Sequence, residues 1–95
     1  MMIVGVCTLE LDIPSSHSLK DKRHVVKSLT TRVRQGFNVS IAEVDSLDAW
    51  QRATLAIVCV SSDANYAKGM LEKVIDSIER MRMDAVIADY SVEIW

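Results

Sequence analysis

The chain has 95 residues, a hydrophobic fraction of 49%, few aromatics and a net charge of −2, which predicts one small domain over 1–95 with much of its aliphatic surface hard to hide. No apolar run is long enough to span a bilayer, and the N-terminal segment lacks the positive flank and cleavage site of a signal peptide. Cys7 and Cys59 lie far apart without a CxxC spacing, so the expectation is two reduced core thiols in a cytoplasmic protein, with no disulfide framework and no zinc site.

Residues Met2 to Asp12 alternate: Ile3, Gly5, Cys7, Leu9 and Leu11 share one face, and Val4, Val6, Thr8, Glu10 and Asp12 the other, the period of a strand. Pro14 ends it, because proline has no N–H for a ladder. Ser18 with Asp21 three residues on predicts an N-cap and a helix to about Gln35. Gly36 is expected to take the left-handed conformation that closes it, with Phe37 as the following apolar contact. Asn38 to Asp45 reads as a second strand whose alternation changes phase, as a bulge would cause. After the turn at Ser46–Ala49, Trp50 to Ser61 is apolar on both faces, as a central strand is.

Ser62 or Asp63 can cap a second helix, in which Ala67, Leu71, Val74, Ile78 and Met81 recur at three-four spacing and Lys68/Glu72 and Asp76/Arg80 pair on the solvent side. A last strand runs from about Ala85 to Trp95, with Val86, Ala88, Tyr90, Val92 and Ile94 on one face. The order β-α-β-β-α-β predicts an α+β ferredoxin-like sandwich, a four-stranded antiparallel sheet in the order 4-1-3-2 with both helices on one face. Its helix-facing core should contain Leu9, Leu11, Val26, Leu29, Val33, Leu55, Ile57, Leu71, Val74, Ile78, Tyr90 and Val92.

The segment Ser18-Leu19-Lys20-Asp21-Lys22-Arg23 resembles the YlxP-like family of small bacterial proteins, a domain of unknown function. The similarity continues through Phe37-Asn38-Val39-Ser40-Ile41-Ala42-Glu43-Val44-Asp45 and Asp48-Ala49-Trp50-Gln51-Arg52. The resemblance implies a ferredoxin-like fold. It also implies a gene setting among transcription-termination, translation-initiation and ribosome-maturation functions, and no catalytic residues.

Charge is segregated along the chain. Residues 19–36 hold six cations and one carboxylate, and the remainder five cations and twelve carboxylates, so a positive edge faces a negative body. At about 100° per residue, Lys20, Arg23, Lys27 and Arg34 form one stripe beside Leu19, Val26, Leu29 and Val33. This is a ridge of cations suited to an RNA backbone; a plain solvated helix face is the alternative. Lys22 falls inside the apolar stripe and must snorkel or meet a carboxylate, for which Glu43 is the candidate in a structural ion pair. Ser16 and Ser18 before the helix, with Lys20, form a candidate anion site, although hydroxyls there are more often caps. His17 and His24 are seven apart and make no metal pair. Trp50 either caps one end of the core or offers a stacking platform.

Two functions are therefore weighed. One is a non-enzymatic binding protein, RNA- or ribosome-associated through the basic helix. The other is a homodimeric interaction module or adaptor whose open sheet face, with Val4, Val6, Val58 and Val60 together with Trp50, is the working surface. An enzyme ranks third, since no Ser-His-Asp or Cys-His grouping and no Gly-rich phosphate loop stands out. No cofactor, metal or membrane is predicted.

Overall fold

The computed structural model describes residues 1–81 and 84–95. Strand β1 (Ile3–Asp12) is followed by helix α1 (Leu19–Gly36), strands β2 (Ser40–Asp45) and β3 (Arg52–Ser61), helix α2 (Ala64–Arg80) and strand β4 (Val86–Ile94). All neighbouring strands are antiparallel, in the order β2-β3-β1-β4, which is the expected 4-1-3-2 order read from the other edge. Leu9, Leu11, Leu55 and Ile57 on the sheet meet Val26, Leu29 and Val33 of α1 and Leu71, Val74 and Ile78 of α2, all buried.

The alternation of β1 decides which residues meet the helices. Gly5, Cys7, Leu9 and Leu11 are buried, leaving Val4, Val6, Thr8 and Glu10 on the open side. There Val4 pairs with Val60, Val6 with Val58, Thr8 with Ala56 and Glu10 with Thr54. Gly5 lets α2 come close: a Cβ at that position would sit 3.1 Å from Cys59 Sγ and 3.2 Å from Ala67 Cβ.

Two bulges set the registers of the edge strands. In β2, Glu43 pairs with Leu55 and Asp45 with Thr54, so Val44 is the extra residue behind the change of phase. In β4, Leu11 pairs with Ile87 and Glu10 with Asp89, so Ala88 is extra. The strand therefore does not present Val86 alongside Tyr90, Val92 and Ile94. Val86 pairs with Asp12 on the open side and is 61% exposed. Tyr90 faces the helices but is 49% exposed, which removes it from the predicted core: β4 is an edge strand, and Tyr90 lines an open groove with Glu72, Ile75, Asp76 and Glu79 of α2.

At the start of α1, Asp21 N donates to Ser18 Oγ at 3.0 Å, as an N-cap requires. The Asp21 carboxylate does not close a capping box on Ser18; it accepts from His17 N at 3.0 Å. The end of the helix also differs from expectation. Gly36 is its last residue and no glycine has positive φ. The helix stops because Phe37 turns extended (φ −143°, ψ 144°) while its N–H still reaches Val33 O. Asp63 caps α2, its Oδ1 accepting from Asn65 N. On the solvent side Arg80 meets Asp76 at 3.6 Å, and no ion pair joins Lys68 to Glu72 among the described residues.

The orientation of α1 is set by Lys22. Its ammonium is 1% exposed, lies 2.9 Å from Glu43 Oε2, and donates to Ser46 O at 2.9 Å and to Leu47 O at 3.1 Å. The contact with Glu43 is an ion pair outside hydrogen-bond alignment, so Oε2 is buried with no aligned donor. The first turn of the helix is thereby tied to β2 and to the first two residues of the β2–β3 turn. Lys22→Met should destabilise the fold by about 3–5 kcal/mol, since it strands a buried carboxylate and two carbonyls; urea unfolding followed by circular dichroism measures it. Gly36→Ala should stabilise by roughly 0.5–1 kcal/mol, because the position is helical and a Cβ there meets nothing within 4 Å. Gly5→Ala should cost about 1–3 kcal/mol through overpacking.

Candidate nucleic-acid interface

Because Lys22 points inward, residues offset from it by roughly 100–200° around the helix point out. Lys20, Arg23, His24 and Lys27 are exposed and line a groove of about 620 Å³ that also reaches Ser15 and Ser16. Asp21, which also accepts from His17 N, and Asp84 contribute carboxylates to its wall, so three cations stand against two carboxylates there. A second groove, of about 390 Å³, continues the surface along His24, Lys27, Ser28, Thr31 and Arg32. Among the described residues, Lys22 is the sole cation of α1 in an ion pair. Lys20, Arg23, Lys27 and Arg32 are in none among the described residues.

The membership of the stripe changes. Arg34, grouped with Lys20, Arg23 and Lys27 by helical angle, turns back to the sheet and its Nη2 donates to Ile41 O at 2.8 Å. Arg32, which the angle set aside, takes its place on the continuing groove. A guanidinium at the end of a long side chain goes where an acceptor is, and a free edge-strand carbonyl is not visible in a helical projection.

The serine hydroxyls of the candidate anion site are spent internally. Ser16 is buried, and its Oγ donates to Ser18 O at 3.0 Å. Ser18 Oγ accepts from Asp21 N. Of that trio, only Lys20 faces outward without a partner among the described residues. Gln51 stiffens the neighbouring loop, its Nε2 donating to Pro14 O at 3.0 Å and to Ser16 O at 3.1 Å. Trp50 beside it is 55% exposed, so it does not cap the core. Leu47, equally exposed on the same turn, is a surface apolar residue that a short turn gave no pattern to reveal.

The remaining chemistry-bearing groups are inert by burial or dispersed. Desolvation pushes the Cys7 thiol up to about 11. It raises Cys59 as well, with a hydrogen bond to the Gly5 backbone acting weakly the other way, so neither forms the reactive thiolate near neutral pH. Among the described residues no three His, Cys, Asp or Glu side chains gather into a metal-binding group, and no helix is long and apolar enough to cross a membrane.

The open sheet face carries the opposite charge. Thr54 Oγ1 donates to Glu10 Oε2 at 2.7 Å, with Asp89 paired to Glu10 and Asp45 to Thr54 in the same row. At the other end, Trp95 exchanges backbone hydrogen bonds with Val4 at 2.7 and 3.1 Å, which extends the Val4–Val60 row with an indole that is 70% exposed.

The fold is shared with designed chains. A de novo designed protein with a ferredoxin fold superposes with a TM-score of 0.56 at 20% identity, covering 98% of this chain and 86% of its own. The designed protein Foldit4 gives 0.50 at 11% identity, with 100% and 94% covered. In sequence, the protein is 39% identical over 77 residues to the uncharacterized protein YlxP of Bacillus subtilis (strain 168), a match spanning 81% of this chain and 84% of that one. The family model described as "Protein of unknown function (DUF503)" matches residues 4–92. With nearly the whole sandwich inside that match, the chain belongs to the DUF503 family, of which the YlxP-like proteins are members.

Proposed function

We propose that the protein is a non-enzymatic binding protein that holds RNA, free or on the ribosome, through the outer side of α1. One observation carries this reading: Lys20, Arg23 and Lys27 line a single exposed groove, with no ion pair to them among the described residues, in a chain whose net charge is −2. Cations that outnumber the carboxylates of their own groove and are locked in no ion pair, in an acidic protein, mark a place where an external polyanion lowers the free energy by releasing its counterions. Arg32 extends the track along the helix. The gene setting implied by the family resemblance points the same way.

The open sheet face is the poorer place for RNA. Its centre carries Thr8, Ala56, Ala42 and Ser91, with no aromatic side chain to stack a base, and Glu10 and Asp89 flank it. The second reading, an interaction module, rests on this same face and on its exposed apolar end. The two readings use opposite layers of the sandwich and are compatible.

Fluorescence anisotropy with a labelled single-stranded RNA at about 50 and about 200 mM salt tests the RNA reading. Three engaged cations predict a log–log salt slope of about −2. Lys20→Glu with Lys27→Glu should weaken binding at least tenfold at the lower salt while leaving the melting temperature nearly unchanged. Lys68→Glu, on the exposed side of α2, should leave affinity within about twofold. Binding indifferent to salt or to the double reversal would overturn the assignment.

A further inference from the structure

We infer that two copies of this chain pair face to face across the open side of the sheet, about a two-fold axis running across the strands over the Val6–Val58 row. The pairing does not rest on the RNA reading, since α1 lies in the other layer of the sandwich.

The row structure of the face singles out this axis. Side chains of one face repeat every two residues, about 7 Å along a strand. Rotation about the Val6–Val58 row lays that row on its own copy. The Val4–Val60 row, lengthened by Trp95, then lies over the partner's Thr8–Ala56 row, so bulky side chains enter a trough of small ones. Val60 and Trp95 are 67% and 70% exposed within one chain, and this arrangement covers both.

Charge eliminates the competing arrangement. An axis parallel to the strands would stack each row on its own row, placing Glu10, Asp45 and Asp89 of both copies in one layer. Like charges gathered in one buried layer oppose association. With the axis across the strands, Glu10 lies four residues from the axis on one side and its mate equally far on the other. They are then separated by about 27 Å, beyond the screening length of about 8 Å at physiological salt. Glu93, the one carboxylate on the axial row, meets its own mate across the axis, but on edge strand β4 at the rim, where it accepts from Trp95 Nε1 at 2.9 Å; the other axis would gather three carboxylates from each copy.

The contact is a small one. Three rows across four strands make a footprint of about 400 Å² per copy, small beside stable interfaces, which bury roughly 800 Å² per partner. The pairing is therefore a weak one, filled only at high protein concentration. The two α1 helices end up on the outer sides of the dimer, so both cationic grooves stay open.

Light scattering of the wild-type chain at about 100 µM, a concentration suited to a weak interface, should give a mass approaching twice the monomer's 10.6 kDa. Val6→Lys with Val58→Lys should return it to the monomer. A gentler pair of variants covers the case in which those lysines unfold the sheet. Facing sheets lie about 10 Å apart, too far for a direct disulfide but within reach of a bismaleimide with a short spacer. Val6→Cys should cross-link to dimer with that reagent and Glu10→Cys should not; the native Cys7 and Cys59 are buried and stay unlabelled. A monomeric wild type at this concentration, a dimer that survives in folded Val6→Lys/Val58→Lys, or Glu10→Cys cross-linking as readily as Val6→Cys would overturn the pairing.

Discussion

The rest of this structure depends on one buried ammonium. Lys22 leaves α1 in its first turn and ends among Glu43, Ser46 O and Leu47 O, with 1% of its side chain exposed. A charge removed from water must be matched where it ends, and here the match comes from a strand and a turn more than twenty residues away. The turn is itself unusual: Ser46 has φ 58°, a left-handed conformation that costs a residue with a Cβ about 1 kcal/mol. Its N–H is held by Asp45 Oδ1 and its carbonyl by Lys22. The same turn follows the Val44 bulge, so clamp, strained residue and bulge form one assembly that sets how α1 lies over β2.

That assembly also explains which cations are left over. In a helix, burying one position of a dense basic run sends its neighbours outward. Lys20, Arg23 and Lys27 are held toward solvent because Lys22 is held toward the core. Carboxylates collect on the opposite layer, where Glu10, Asp45 and Asp89 share a row of the open sheet face. The sandwich is thus polarised across its thickness, and each layer suits a different partner chemistry. Designed sequences at 20% identity or below reach the same fold. The scaffold therefore carries no function by itself.

Much of the architecture was legible from local pattern. The two-residue alternation of β1, the three-four spacing of α2, the Ser18 cap and the order of elements are properties of residues close together in sequence, where sterics and neighbouring hydrogen bonds decide. They were sufficient for the ferredoxin-like sandwich and for most of its core. The pairing of Lys22 with a carboxylate was readable because a lysine inside an apolar stripe has few alternatives. Its two carbonyl partners were not, since a carbonyl has no sequence signature.

What only the tertiary structure decided lies at edges and ends. The Ala88 bulge moves Val86 to the open side, and an edge strand leaves Tyr90 half in water. Ile41 O draws Arg34 away from the cationic groove, while Arg32 remains on it. Phe37, turning extended while its N–H holds Val33 O, ends α1 without a left-handed glycine. Trp50 stands out from a loop that Gln51 binds from behind. Each outcome depends on where a distant backbone group or covering element sits, and that position exists only after the sheet and helices have packed. Local sequence determined which elements form and which faces they bury; long-range packing determined which of the remaining polar and aromatic side chains stay free to meet a partner.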